Sequence, residues 1–257
     1  MKNQIPQKYY VPALEKGLDI LEVLASSPVP LSLSELARGL SRTSSELFRM
    51  LNALETRGYI EREPVSGKYG LTLRLYELAH THSPVEKLLR TAAIPMRNLA
   101  ESTRESCHIS TLDSERLVVL AQEDSPEVFR FSVEVGATFS PVHTSSGRLL
   151  LAHLNEGEFR HFCEVSADYR SLSPPAKKKL AGKIEEIRQK GVSIARNEPV
   201  IGVRSYAVLV GNPAIDIMAA LAVASLDIRG KKDNSGAIIE GLQRAAVEIN
   251  RAIGLRA

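Results

Sequence analysis

The stretch SSELFRMLNALETRGYIEREPVSGKYG, residues 44–70, decides how the N-terminal part of this chain folds. Leu47, Leu51 and Leu54 stand four and then three residues apart, so one stripe of a helix faces a core. The opposite face carries Ser45, Glu46, Arg49 and Asn52, short or polar groups able to reach base edges and phosphates. Gly58 follows the last apolar turn, where helices end in a left-handed residue. Tyr59 and Ile60 then start a strand, Ser66-Gly67 makes a turn, and Tyr69 to Leu73 returns with alternating character. Helix then hairpin is the second half of a winged helix-turn-helix, provided a positioning helix precedes it.

Such a helix is encoded upstream. Ser32 and Ser34 both offer N-caps, and Ser32 with Glu35 matches a capping box. Leu36, Ala37 and Leu40 form its buried side, and Ser41-Arg42-Thr43 makes the short turn such motifs need. Leu14, Leu18, Leu21 and Leu24 repeat at helical spacing in a first helix, which Pro28 and Pro30 end. The alternative is a three-helix bundle with a hairpin and no nucleic acid. Residues 1–80 favour it in one respect, with ten Lys/Arg against nine Asp/Glu. A dimer making two half-contacts needs less positive charge per copy.

The whole chain has 257 residues and a net charge of +3, room for two domains and compatible with nucleic acid without requiring it. No apolar run approaches the ~18 residues a membrane span needs, and the N-terminal MKNQIPQKYY has no signal-peptide core. Cys107 and Cys163 lack paired spacing, so neither a disulfide framework nor a cysteine zinc site follows, as suits a reducing cytoplasm.

Beyond residue 73, residues 74–86 read as a connector, with His80-Thr81-His82-Ser83-Pro84 as a helix stop. A long helix follows from about Val85 to Ser106, which Pro95 would kink or split. Residues 108–112 and 117–122 read as strands around the turn Asp113-Ser114-Glu115. Phe129, Phe131, Val133 and Val135 alternate as one face of a further strand. Residues 144–154 and 156–164 read as helices interrupted at Gly157, and Ser173 caps another from Pro174 to Lys190 that Gly191 stops. Strands at 192–195, 204–210 and 218–225 precede a C-terminal amphipathic helix from about Ala237. This order gives an α+β fold: a winged helix-turn-helix domain at 1–73, a connector at 74–86, and an α/β sensor-like domain at 87–257 built on a central, mainly antiparallel sheet. The near-continuous apolar run at 219–224 marks a central strand covered on both faces.

Candidate chemistry outside this scheme is thin. His143 beside Ser145 and Ser146 invites a hydrolase reading, but no G-x-S-x-G elbow is present. His80 and His82 lack a third ligand at recognisable spacing, so no metal site is expected, nor any cofactor. His153 and His161, near Glu156 and Glu158, read as surface residues, and Lys177-Lys178-Lys179 as a solvated face. Cys163 reads as a small buried side chain, and Cys107 is buried by default. Phe129, Phe131 and Phe139 read as core, although an apolar pocket would need some of them.

Taken together, ALEKGLDILEVLASSPVPLSLSELARGL, RMLNALETRGYIEREPVSGKYGLTLRLYELA, HTSSGRLLLA, GVSIARNEPVIGVRSYAVLV and AALAVASL resemble the IclR family of bacterial transcription regulators over nearly the full length. The resemblance implies a cytoplasmic dimer or dimer of dimers on a double-stranded DNA operator, not an enzyme, with a GAF-like C-terminal domain that holds a small-molecule effector. It places Thr43, Ser44, Ser45, Glu46 and Arg49 at the DNA, with Ser66, Gly67 and Lys68 at the wing tip; Asn52 joins them from the helix face. Glu46 departs from the small hydroxyl residue common there, so it must read a cytosine amine or point away. The effector loop of the family corresponds to His143, Thr144, Ser145, Ser146 and Gly147, where backbone amides at a helix start can meet a carboxylate. The usual acidic pocket position falls on Ala195, a frequent cysteine on Ser205, and paired serines on Ala222 and Ala224. With those polar groups missing, the expected ligand is more apolar than glyoxylate or pyruvate: an aromatic or longer-chain acid. Two other readings are a small-molecule enzyme with an N-terminal interaction domain and an interaction module without a ligand.

Overall fold

The computed structural model describes residues 11–80, 84–212, 217–227 and 233–255. The chain divides into two compact units, residues 1–83 and 84–257. In the first, α1 (Pro12–Ala25), α2 (Leu33–Gly39) and α3 (Ser44–Thr56) precede the hairpin of β1 (Ile60–Arg62) and β2 (Tyr69–Leu71). Ile20, Leu24, Leu36, Leu47, Leu51, Ile60 and Tyr69 form its core. The stripe of α1 differs from the expected one. Gly17, Ile20 and Leu24 are its buried positions, whereas Leu14 and Leu18 are 58% and 45% exposed. Leu21 and Leu24 of the leucine pattern do meet the core, but its N-terminal half turns away and Gly17 and Ile20 take its place. The expected cap of Ser32 with Glu35 forms on α2, and a second capping box, not read from the sequence, joins Thr43 to Glu46 on α3.

The expected connector is divided. Residues 74–80 form α4 (Arg74–His80) in the first unit, and Pro84 already opens α5 (Pro84–Thr103) in the second. Thr81, His82 and Ser83, read as the stop between them, lie outside the described residues. Helix α5 runs through Pro95 as one helix of 20 residues, so of the kink or split expected there the split does not occur.

The second unit is built on a six-stranded, wholly antiparallel sheet. Its strands are β3 (Cys107–Asp113), β4 (Arg116–Glu123), β5 (Thr138–Phe139), β6 (Val192–Arg196), β7 (Val203–Asn212) and β8 (Ile217–Leu226), in the order β5-β4-β3-β8-β7-β6. Strand β8 sits between β3 and β7, and its alternation feeds two cores. Ala219, Leu221 and Val223 pack with α5 and α10 (Ser235–Ile253). Ala220 and Ala222 pack on the other face with α6 (Ser145–His153) and α9 (Pro174–Lys190). Between these two, α7 (Glu156–Val165) and the short α8 (Ala167–Ser171), the latter not expected from sequence, complete the helices. The break between α6 and α7 is made by Asn155, which caps α7 with Glu158, while Gly157 lies inside α7.

The strand expected over 129–135 does not form. Residues 136–139 take that place on the edge of β4: Val119 N–H bonds to Ala137 O at 3.0 Å, and Leu117 and Val118 pair with Phe139 and Thr138. With the edge occupied, Phe129 is left 83% exposed, and Phe131 and Val133 turn to a cavity described below.

One close approach fixes α6. A Cβ on Gly147 would lie 2.3 Å from Pro141 Cα, in the 3-10 turn Pro141–His143 that leads into the helix. We expect Gly147→Ala to lower the unfolding free energy by about 1–3 kcal/mol. Urea unfolding of the full chain measures this, and an unchanged midpoint would show that the turn can move aside.

Candidate functional site

Two surfaces bring the expected residues together, one in each unit. In the first, Ser44, Ser45, Arg49 and Asn52 are exposed along α3. Arg49 has no ion-pair or hydrogen-bond partner among the described residues. Phe48, which sequence reading passed over, stands on this same exposed face at 57% exposure. Thr43 and Glu46 are held at the helix start. Glu46 Oε2 accepts from the Thr43 backbone N–H at 3.0 Å, and Oε1 accepts from Lys16 Nζ at 3.0 Å. The Thr43 amide and then Lys16 bring the Glu46 carboxyl down to about 2. The carboxylate therefore bonds back into its own unit, onto α1 and the helix cap.

The wing is similarly pinned. Gly67 has φ +68°, the left-handed region that favours glycine, and its carbonyl accepts from Arg62 Nε at 3.2 Å. Arg62 also lies over the Tyr69 ring, 5.7 Å from its centroid. Ser66 Oγ donates to Glu63, and Lys68 reaches Glu35 of α2 at 3.8 Å.

In the second unit, a cavity with about 510 Å³ of empty space, its open mouth included, lies where α6 begins. Its concave, mostly apolar lining with a few polar groups has the character of a small-molecule site. Leu117, Phe131, Val133, Phe139, Pro199 and Val203 give it apolar walls. Of the expected effector residues, Thr144, Ser145, Ser146, Ser205 and Ala224 line it. His143, Gly147, Ala195 and Ala222 do not. His143 is exposed and lines a separate hollow with Arg148, Lys179 and Lys183. Gly147 is packed against Pro141, and Ala195 and Ala222 are buried without lining the cavity. His143 thus lines a different hollow from Ser145 and Ser146.

Two residues absent from the sequence reading shape the electrostatics. Glu198 faces both the cavity and the neighbouring hollow. Lys183 Nζ donates to its two oxygens at 3.0 and 3.1 Å, and Arg148 Nη2 stands 2.9 Å away. Burial opposes ionisation of Glu198, but Lys183 and Arg148 outweigh it, and its pKa falls below the usual carboxylate value. Arg148 is 2% exposed, and burial lowers its pKa while Glu198 supports its charge. These cations are matched internally and line the other hollow. An acid in the cavity is left with hydroxyls and the first-turn amides of α6, where the helix dipole favours negative charge. Thr144 Oγ1 already takes the Gly147 N–H at 3.1 Å.

The second residue is His108, at the start of β3, whose side chain lines the cavity. Desolvation pushes its pKa down to about 4, so the imidazole is neutral at neutral pH. No sequence motif singled it out, because only the sheet register shows which face it takes. Cys107, its neighbour, points into the opposite core, and burial raises the thiol to about 12.

Among the described residues no group of His, Cys, Asp and Glu can hold a metal ion; the side chains of His80 and His82 are not described. Among them also, no helix is long and apolar enough to cross a membrane.

A helix-turn-helix unit with a free recognition face, joined in one chain to a cavity-bearing α/β unit, defines a DNA-binding transcriptional regulator of the ligand-modulated kind. The profile of the IclR helix-turn-helix domain matches residues 13–64, and that of the bacterial transcriptional regulator IclR C-terminal domain matches residues 82–251. The chain belongs to the IclR family. The HTH-type transcriptional regulator KdgR of Dickeya chrysanthemi is 28% identical over 247 residues, covering 95% of this chain and 80% of that relative. XynR of Escherichia coli (strain K12) is 26% identical, covering 95% and 98%. An IclR homolog complexed with 4-hydroxybenzoate, from Microbacterium hydrocarbonoxydans, shares the fold with a TM-score of 0.77 and 21% identity, covering 94% and 98%.

The depressed His108 pKa has a measurable consequence. The unfolded imidazole binds a proton near pH 6.5 and the folded one only near 4, so stability present above pH 6.5 is lost as pH falls towards 4. His108→Gln should flatten this part of the stability–pH curve. An identical curve in the variant would mean that the folded imidazole titrates normally.

Proposed function

We propose that the chain is a cytoplasmic, non-enzymatic regulator that binds an operator as a homo-oligomer through α3 and its wing. Its operator affinity is set by an organic acid with an apolar body in the cavity of the second unit. The observation that supports this most strongly is the contrast within α3. One stripe, Leu47 and Leu51, is fully buried, while Ser44, Ser45, Phe48, Arg49 and Asn52 are exposed on the other face.

In this reading Arg49 and Asn52 reach base edges, Phe48 packs on a thymine methyl, and Ser44 and Ser45 with the wing residues Ser66, Gly67 and Lys68 meet phosphates. Thr43 and Glu46 orient the helix from its cap. Oligomerisation is supported by large apolar side chains left on the surface of the first unit: Leu14 and Leu18 of α1, and Leu75, Tyr76 and Leu78 of α4. Paired half-contacts also fit its nearly balanced charge.

The ligand reading rests on walls that are mostly apolar and on cations already matched by Glu198. A two-carbon keto acid gains little from such walls, whereas a benzoate or a longer aliphatic acid buries its body there while its carboxylate meets the start of α6. Ser145, Ser146 and Ser205 supply hydroxyls, and Ala224 leaves room.

Two measurements check this. Against operator DNA selected from fragmented source-genome DNA, Arg49→Ala should weaken binding by about 1–3 kcal/mol; unchanged affinity would remove Arg49 from the interface. In calorimetric titrations, benzoates and C6–C8 acids should bind more tightly than pyruvate, and the reverse order would contradict the apolar-acid reading.

A further inference from the structure

We propose that His108 selects the ligand by exchanging a hydrogen bond with an uncharged hydroxyl carried on the acid's apolar body. This assignment rests on the reading of the cavity as a small-acid site, and it adds a second polar requirement to that reading.

His108 pairs in register with Ala222 of β8 and Gln122 of β4, so its side chain shares their face of the sheet, the face on which the cavity lies. Ala222 offers no polar atom. Gln122 gives its amide N–H to Glu123 O and Asp124 Oδ1, and its own Oε1 is buried without a hydrogen-bond partner. The imidazole of His108 has no hydrogen-bond partner among the described residues. A polar ring is therefore set into an apolar wall with both nitrogens available, an arrangement that rewards a ligand able to pair with it.

The chemistry of the partner follows from the charges around it. Glu198 is the charged side chain that lines the same cavity, and Lys183 and Arg148 already hold it. Desolvation keeps the ring neutral, so it carries one N–H donor and one bare nitrogen acceptor. A carboxylate can accept from the N–H but has no proton to give the bare nitrogen, so it pairs with only one side of the neutral ring. A hydroxyl matches the neutral ring in either direction, giving its proton to the bare nitrogen or accepting from the N–H. The ligand carboxylate is thereby left to the α6 end, with Ser145 and Ser146.

The test uses the full chain and three matched pairs of probes: 2-, 3- and 4-hydroxybenzoate, each against the methylbenzoate of the same substitution. Hydroxyl and methyl are close in size, so their difference isolates hydrogen bonding. Calorimetric titration of wild type should show at least one pair in which the hydroxyl compound binds about tenfold or more tightly. His108→Leu should erase that gap while the methyl partner keeps its affinity within about threefold. His108→Asn, which keeps a donor and an acceptor, should retain part of the gap, and it stands in if the leucine variant does not fold. Hydroxyl and methyl compounds binding equally in every pair, or a gap that survives in His108→Leu, would overturn the role of His108 while leaving the acid site intact. Failure of all six probes to bind would overturn the acid reading, and this assignment with it.

Discussion

The seat of α6 on the sheet is the constraint from which the second unit follows. Gly147 allows the helix to meet the Pro141 backbone at a distance no other residue would permit. Beneath it, Ala207, Ala220 and Ala222 keep the sheet face low, so that Leu149, Leu150 and Leu151 are fully buried. Larger side chains at those positions would lift the helix and displace its first turn from the cavity. The small residues of β7 and β8 thus act through geometry. They bring a helix start, with its unpaired amides, to the edge of an apolar space.

Glu198 supplies the complementary electrostatic constraint. Its loop joins β6 to β7, closed by Gly202 N–H donating to Asn197 Oδ1 at 2.8 Å. The carboxylate draws in Lys183 from α9 and Arg148 from α6. One residue thereby ties the cavity wall to two helices and leaves the cavity without a cation of its own among the described residues. A ligand that moves Glu198 would perturb its own loop, α6 and α9 together.

Much of this was legible in the chain. The capping box of α2, the short turn before α3, Gly58 after it and the Gly191 stop of α9 are local signals, and each forms as read. The central position of β8 followed from its unbroken apolar run. What the sequence hid depends on partners distant along the chain. Leu14 and Leu18 looked like core because their spacing is helical, yet periodicity does not say which of two adjacent faces meets α3. Phe129 to Val135 alternates like a strand but finds the edge of β4 taken by residues 136–139. In the cavity, Thr144, Ser145, Ser146, Ser205 and Ala224 were found through family resemblance, whereas His108 and Glu198 needed register and loop closure to come into view.

In the proposed function, the acid in the second unit and the operator on the first are linked. Linkage is reciprocal: the factor by which the acid changes operator affinity must equal the factor by which the operator changes acid affinity. The direct measurement is acid affinity by calorimetry on the free protein and on its saturated operator complex, set beside operator affinity with and without acid. Two equal factors, each different from one, are the predicted result. Tight binding of both partners with acid affinity unchanged by DNA would contradict the account, leaving two independent binding units in one chain.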